Sequence, residues 1–191
     1  VDLSGYRDRF RSIKIVEMNL PKSIQAIGLL YKVYWDDKNF LDFDGFYKAY
    51  LKFLGKDVEV FRKKVMMCRV CFYRGLPARI YRTWASLITQ IHAGYVADYV
   101  FGKETVNMSS ELDHQGADFQ VSYKGRTINY QVKKVTQSRE VRREKKTKSK
   151  IEGEFITIEY YVPSHEIIVN PFNKNGTKKK VWKDVLRAPK V

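Results

Sequence analysis

The stretch from residue 111 to 134, ELDHQGADFQVSYKGRTINYQVKK, constrains the fold more than any other part of the chain. On both sides of Lys124 and Gly125, apolar residues alternate with polar ones, which is the period-two pattern of half-buried strands. Two such runs around a two-residue loop that contains glycine predict a β-hairpin.

The predicted loop also sets the register of the hairpin. If Lys124 and Gly125 form the turn, counting outward places Asp118 directly across from Gln131, with Lys133 as its diagonal neighbour. Opposed side chains lie about 5 Å apart at Cβ and diagonal ones about 7–8 Å. One face of the hairpin then gathers a carboxylate, an amide and a lysine, while the other is apolar. A slip of one residue would separate the three groups.

This trio suits metal-assisted phosphate chemistry. Asp118 is a candidate ligand for Mg²⁺, an ion that takes one or two carboxylates together with waters and phosphate oxygens. The carbonyl of Val132 or the amide oxygen of Gln131 is a candidate second ligand, and Lys133 a candidate for orienting water or balancing charge. The order of Asp, turn and Gln-x-Lys is similar to the PD-(D/E)xK nuclease signature, with Ala117 in place of its proline. The alternative is a solvated hairpin face without a catalytic role.

The charge of the chain indicates a polyanionic partner. Thirty-six Lys and Arg residues against twenty-one Asp and Glu residues give the 191-residue chain a net charge of +15. Nucleic acid is the first expectation. A membrane surface is less favoured, because the charges are scattered rather than gathered on one amphipathic helix. No apolar run approaches the roughly 20 residues of a membrane span, and we expect no signal peptide.

The cysteine and histidine residues predict structure rather than chemistry. Cys68 and Cys71 have CxxC spacing, but a zinc site needs four ligands and the sequence has no second pair. The surrounding segment predicts a buried helix or strand. We expect the protein to work in a reducing compartment. His92 lies near an apolar helical stripe and is expected to be a core histidine.

The N-terminal half is predicted to be helical. Apolar spacing and end signals predict helices over residues 22–34, 45–54, 57–72 and 77–100, with a loop at 35–39. Asp44 is the expected cap of the second helix and Gly55 its end. Pro77 fits the first turn of the last helix, and Gly102 lies just past its end. The polar face of that helix presents Arg79, Arg82, Thr83, Gln90 and Asp98.

The C-terminal half is predicted to hold the sheet. After the hairpin come a basic run at 138–150, strands at 154–162 and 166–169, and a basic end with a short helix. We therefore expect an α+β fold in a single domain, 1–191, whose helical half packs on a small mixed sheet. Its parts are a mainly helical 1–105, a catalytic sheet at 106–170 and a basic segment at 171–191.

Basic residues near the predicted sheet are candidates for contacts with DNA phosphates. The alternative for Arg79, Arg82 and Lys134 is a plain surface charge, and for the basic run it is a solvated segment or mobile loop. The candidates are Arg79, Arg82, Lys134, Arg142, Arg143, Lys145, Lys146 and Lys148.

Three stretches together resemble the TaqI-type restriction endonucleases. They are FRSIKIVEMNLP (10–21), LPARIYRTWASLITQIHAGY (76–95) and SELDHQGADFQV…YQVKK (110–134), in the order and spacing of that family. The resemblance extends over roughly residues 6 to 162. After about residue 165 no correspondence to the longer C-terminal region of the family is recognised.

The resemblance implies a type II restriction enzyme of the PD-(D/E)xK fold. Such an enzyme is a prokaryotic, cytoplasmic homodimer that needs Mg²⁺, cleaves double-stranded DNA at a short palindrome similar to TCGA, and works beside a protecting methyltransferase. By position in the motif, Asp118 and Asp113 are implied as metal-site residues, and Gln131 and Lys133 fill the Q-x-K places. Glu111 and Lys134 match as supporting residues. Because Gln131 replaces the second acid, metal affinity is expected to depend on further acids, with Asp113, Glu111 and Asp98 as candidates.

Two other functions remain open at this stage. A repair or mobile-element nuclease of the same fold would prefer flaps, junctions or lesions over a fixed sequence. A DNA- or RNA-binding module without catalysis would share the basic charge but would not need Asp118 and Lys133.

Overall fold

The protein is described by a computed structural model over residues 5, 6, 9, 10, 19–102, 104–135, 151 and 153–161. It divides into two compact units between Leu87 and Ile88. The predicted basic run at 138–150, the strand at 166–169 and the segment 171–191 lie outside the described residues. So do the five candidate DNA contacts in the basic run.

The first helical region differs from the single helix predicted at 22–34. It consists of a 3₁₀ turn at Lys22–Ile24, helix α1 at Ile27–Leu30 and a π-helical turn at Tyr31–Asp36, which takes in the start of the predicted 35–39 loop. The predicted apolar face is nevertheless largely buried, since Ile24, Leu30 and Tyr34 have at most 1% of their surface exposed. The apolar periodicity therefore identified the inward face but not the breaks in the helix.

Helix α2 spans Phe43–Lys64, so it joins the predicted helix at 45–54 to the first part of the one predicted at 57–72. Its cap is Asp42 rather than Asp44, and the Asp42 carboxylate accepts a hydrogen bond from the Gly45 amide at 2.8 Å. The prediction that Gly55 ends this helix is wrong. A glycine inside a helix costs only about 0.5–1 kcal/mol, and the buried stripe that includes Phe46 continues past it to Val58.

Helix α3 spans Arg69–Phe101 and crosses from the first unit into the second. Pro77 lies inside it, so the prediction that the helix begins at Pro77 is wrong. The buried stripe starts upstream, at Phe72 and Leu76, and packing of that stripe outweighs the hydrogen bond that proline removes. Gly102, at φ 111°, directly follows the last residue as predicted.

Aromatic side chains form much of the core of the first unit. The fully buried Trp84 donates its indole N–H to the Tyr34 hydroxyl at 2.8 Å, which in turn donates to the carbonyl of Leu41 at 2.7 Å. Tyr50 donates its hydroxyl to the carbonyl of Ile24 at 2.7 Å. Each of these polar groups is thus paired where burial would otherwise make it costly.

Of the two predictions about cysteine and histidine, one is confirmed. His92 is 5% exposed, and burial lowers its pKa to about 4, as expected for a neutral core histidine. Cys68 and Cys71 are exposed free thiols at the start of α3, so the prediction that they are buried is wrong. Within the described ranges, no helix combines the length and apolar character needed to cross a membrane.

The second unit contains a four-stranded mixed sheet, which confirms the α+β prediction. Its strands are β1 (Val106–Asn107), β2 (Phe119–Tyr123), β3 (Arg126–Val135) and β4 (Glu154–Tyr161), in that spatial order. The β1–β2 and β2–β3 pairs are antiparallel, whereas β3 and β4 are parallel. A short helix, α4, spans Ser110–Gln115 between β1 and β2.

The hairpin has the predicted register. Tyr123 pairs with Arg126 and Phe119 pairs with Tyr130, so Lys124 and Gly125 are the loop. The rings of Phe119 and Tyr130 stack on the apolar face at 4.8 Å between centroids. Both loop residues have positive φ, 48° at Lys124 and 73° at Gly125, as a type I′ turn requires.

Replacing Lys124 with Asn should stabilise the protein by about 0.5–1 kcal/mol, because asparagine tolerates positive φ better than lysine. Urea unfolding of the two proteins measures the difference, and Lys124→Val, which adds a β-branched side chain at the same position, should be destabilised. If Asn and Val had equal stability, the turn would not have this conformation.

Candidate active site

Helix α4 sets the course of the chain into β2. The Ser109 hydroxyl caps the helix by accepting a hydrogen bond from the Leu112 amide at 3.2 Å. Gly116 ends it in the left-handed region at φ 102°, and Ala117, fully buried, donates its amide to the carbonyl of Leu112 at 3.0 Å. A C-cap of this kind favours glycine. Local structure thus accounts for Leu112, Gly116 and Ala117 of the segment ELDHQGAD.

Gln131 holds the junction between α4 and β2. Its amide nitrogen donates to the Gly116 carbonyl at 2.7 Å. Gln131 therefore contacts the backbone two residues before Asp118. This is a positioning contact, since it fixes the turn from which the carboxylate projects.

Asp118 lies one residue before β2 and is held on both sides. Its backbone N–H donates to the Tyr130 carbonyl at 2.8 Å. One carboxylate oxygen, Oδ2, accepts the Val132 amide N–H at 2.5 Å, and the other, Oδ1, accepts from Nε2 of Gln90 on helix α3 at 2.7 Å. Neither donor carries a charge, so neither neutralises the carboxylate. These two contacts fix the orientation of the Asp118 carboxylate.

The polar face of the hairpin continues beyond Asp118. Gln120 donates its side-chain amide to Oδ1 of its cross-strand partner Asn129 at 2.9 Å, and Asn129 is fully buried. Gly153 precedes β4, and a Cβ at that position would come within 3.2 Å of Nδ2 of Asn129. Part of this face is therefore a layer of paired amides in which Asn129 is buried.

The other acidic residues that were predicted to support metal binding each have different local surroundings. Asp113 lies on α4 in a half-buried position, where burial raises the pKa of its carboxyl against the opposing effect of His114. Glu111 is exposed, and hydrogen bonding to its own backbone amide, with help from nearby serine hydroxyls, lowers its pKa. Asp98 accepts the Glu104 amide at 3.1 Å just after α3. Among the described residues, no three His, Cys, Asp or Glu side chains form a group that could hold a metal ion.

The remaining predicted site residues are described to different extents. Val132 contributes its N–H to Asp118, whereas its carbonyl is the group predicted to bind the metal. The backbones of Lys133 and Lys134 lie in β3, paired in register with Glu159 and Tyr160. Arg79, in the first unit, donates to the Thr83 hydroxyl at 2.9 Å, and Arg82 is exposed.

Gln90 is the site residue that sequence reasoning did not select. It appeared only as one of several polar residues along a helix face. The signal that could have found it is its context: it is polar, yet it stands between the buried Thr89 and Ile91, within a stretch that carries the family resemblance.

Comparison with known proteins identifies the family. The family described as TaqI restriction endonuclease matches residues 1–190. The chain belongs to the TaqI restriction endonuclease family. The match extends through the C-terminal segment, so the expectation that the resemblance to this family ends near residue 165 is wrong. No solved structure gives a significant match to the chain.

Two curated proteins are similar to this family member. The type II restriction enzyme TaqI of Thermus aquaticus is 31% identical over 195 residues, covering 97% of this chain and 74% of that enzyme. The type II restriction enzyme TthHB8I of Thermus thermophilus is 36% identical over 148 residues, covering 74% of this chain and 56% of that enzyme. Enzymes of this type are site-specific deoxyribonucleases. The family assignment does not favour the repair-nuclease or non-catalytic alternative.

Proposed function

We propose that this chain is a Mg²⁺-dependent type II restriction endonuclease with a PD-(D/E)xK core. It acts as a cytoplasmic homodimer that hydrolyses both strands of DNA at a short palindrome similar to TCGA. A cognate methyltransferase protects the host sequence. The observation that carries the proposal is the Asp118 carboxylate, held between helix α3 and strand β3 by two neutral donors in a chain of this family.

The surroundings of Asp118 fit a hydrated Mg²⁺ ion. Mg²⁺ keeps several waters and needs only one or two carboxylates with phosphate oxygens. Asp118 supplies a carboxylate, and Oε1 of Gln90 is a buried oxygen with no hydrogen-bond partner in the described part of the chain. When bound, the ion polarises the phosphate and lowers the pKa of a coordinated water. The Val132 carbonyl and Asp113 are further proposed ligands.

The other catalytic roles follow from the chemistry of the side chains. Lys133, two residues after Gln131 on β3, stabilises negative charge on the phosphate in the transition state or orients the attacking water. Gln131 keeps the Gly116 turn, and with it Asp118, in place. Asp113 supports the geometry of the site from α4.

DNA is bound through phosphate contacts that involve Arg79, Arg82, Lys134 and the basic run at 138–150. Substituting Arg142, Arg143, Lys145, Lys146 and Lys148 together by Gln should weaken binding. Each lost phosphate contact should reduce the slope of log K against log salt by about 0.9. Fluorescence anisotropy at several salt concentrations measures this slope. A slope equal to that of the unmodified protein would mean that the run does not contact DNA.

The recognition proposal is tested with short duplexes. One contains TCGA, one contains the same bases scrambled, and one carries methylated bases within TCGA. The proposal predicts Mg²⁺-dependent cleavage of the first duplex alone. Equal cleavage of all three would contradict sequence-specific restriction. If separate DNA substrates with flaps or junctions were cleaved in preference to these duplexes, the chain would be a repair nuclease.

A further inference from the structure

Gln90 contacts the metal-site carboxylate from a different element than the hairpin. It lies on helix α3, 28 residues before Asp118, and donates Nε2 to Oδ1 at 2.7 Å. The Val132 amide holds the opposite carboxylate oxygen. Asp118 is therefore oriented by two elements, and rotation of the carboxylate would break a contact on one side or the other.

The second polar atom of Gln90 has no assigned use. Oε1 is buried and has no hydrogen-bond partner within the described residues. Buried acceptors are nearly always paired, so an exception indicates strain, a functional role, or a water or ion. The nitrogen and oxygen of one amide are about 2.2 Å apart. Oε1 must therefore lie within about 5 Å of the Asp118 oxygen, which is the scale of one hydrated ion with its ligands.

The uncharged side chain of Gln90 also suits a position beside Asp118. A second carboxylate at this position would repel Asp118 whenever the ion is absent, and a lysine would compete with the ion for Asp118. A glutamine donates to Asp118 on one side and offers an uncharged oxygen on the other. It therefore stabilises the ionised carboxylate without occupying the cation's place.

We propose that Gln90 is a positioning residue of the metal site, which orients Asp118 through Nε2 and offers Oε1 to a divalent cation or to one of its waters. This inference rests on the proposed metal-dependent function. The proposed metal site is therefore formed by helix α3 as well as by the hairpin.

Binding of Mn²⁺ to the full chain without DNA tests this role independently of cleavage, with free Mn²⁺ measured by electron paramagnetic resonance. Gln90→Leu keeps the size of the side chain but removes both polar atoms, and it should raise the Kd for Mn²⁺ by about tenfold or more. Gln90→Glu returns an oxygen to the Oε1 position and should bind Mn²⁺ at least as tightly as the unmodified protein. Asn39→Asp adds the same charge at an exposed position of the first unit and serves as the control.

Three results would overturn the inference. If Gln90→Leu bound Mn²⁺ as the unmodified protein does, while Asp118→Asn lost binding, the metal site would stand and the role of Gln90 would fall. If Gln90→Glu bound as weakly as Gln90→Leu although its thermal unfolding was normal, Oε1 would not serve the ion. If the unmodified protein bound no Mn²⁺ and cleaved no DNA with Mg²⁺, the proposed function would fall together with this inference.

Discussion

Asp118→Asn should reduce DNA cleavage by about a thousandfold or more and leave DNA binding intact. The change removes the negative charge proposed to hold the cation. It also removes one of two acceptors, because an asparagine oxygen can meet either the Gln90 amide or the Val132 N–H but not both. Binding to phosphates does not require a carboxylate, so the affinity for DNA measured with EDTA should be unchanged.

The matched control for this change is Asp44→Asn. Asp44 is a partly exposed carboxylate on α2 that pairs with Arg9 at 2.9 Å. Its neutralisation should leave the cleavage rate unchanged, which shows that loss of one surface charge is not the cause of the Asp118 effect. Cleavage by Asp118→Asn at a rate within about tenfold of the unmodified protein would contradict the site assignment.

Lys133→Met should lower the rate of the chemical step by about 100- to 1000-fold, as removal of one transition-state donor typically does. Methionine keeps the unbranched apolar stem and removes only the ammonium group. Because the contribution is proposed to arise in the transition state, the DNA affinity and the Mn²⁺ affinity should change little. Single-turnover cleavage with saturating enzyme measures the chemical step directly.

The control for Lys133 is Lys124→Asn, which removes a lysine charge at the hairpin turn, nine residues away along the chain. It should cleave DNA at the rate of the unmodified protein. If Lys133→Met cleaved equally fast, Lys133 would be a surface charge. The proposed site would then lack the positively charged side chain assigned to it. If it lost DNA binding instead, Lys133 would be a phosphate contact.

The sequence predicted the part of the site that local rules govern. A two-residue turn with Gly125 fixes the strand register, and that register brings Asp118 to the backbone around Gln131. The apolar stripe of α3 was also recognisable, because its spacing is a property of one helix. Such features depend on neighbours in sequence or on a single turn.

What could not be predicted depends on contacts between distant residues. Gly55 and Pro77 looked like helix boundaries, yet buried residues on both sides keep each helix continuous. Gln90 looked like one more polar residue on a helix face, because its contact with Asp118 spans 28 residues. The exposure of Cys68 and Cys71 likewise depends on where α3 begins rather than on the residues beside them.

The first measurement to make is digestion of a fully sequenced plasmid with Mg²⁺ and with EDTA, followed by sequencing of every new end. The account predicts discrete ends at one short palindrome, on both strands, only with Mg²⁺. The same digestion with Asp118→Asn should give intact plasmid. Ends scattered over unrelated sequences, or equal cleavage in EDTA, would contradict a Mg²⁺-dependent restriction endonuclease centred on Asp118.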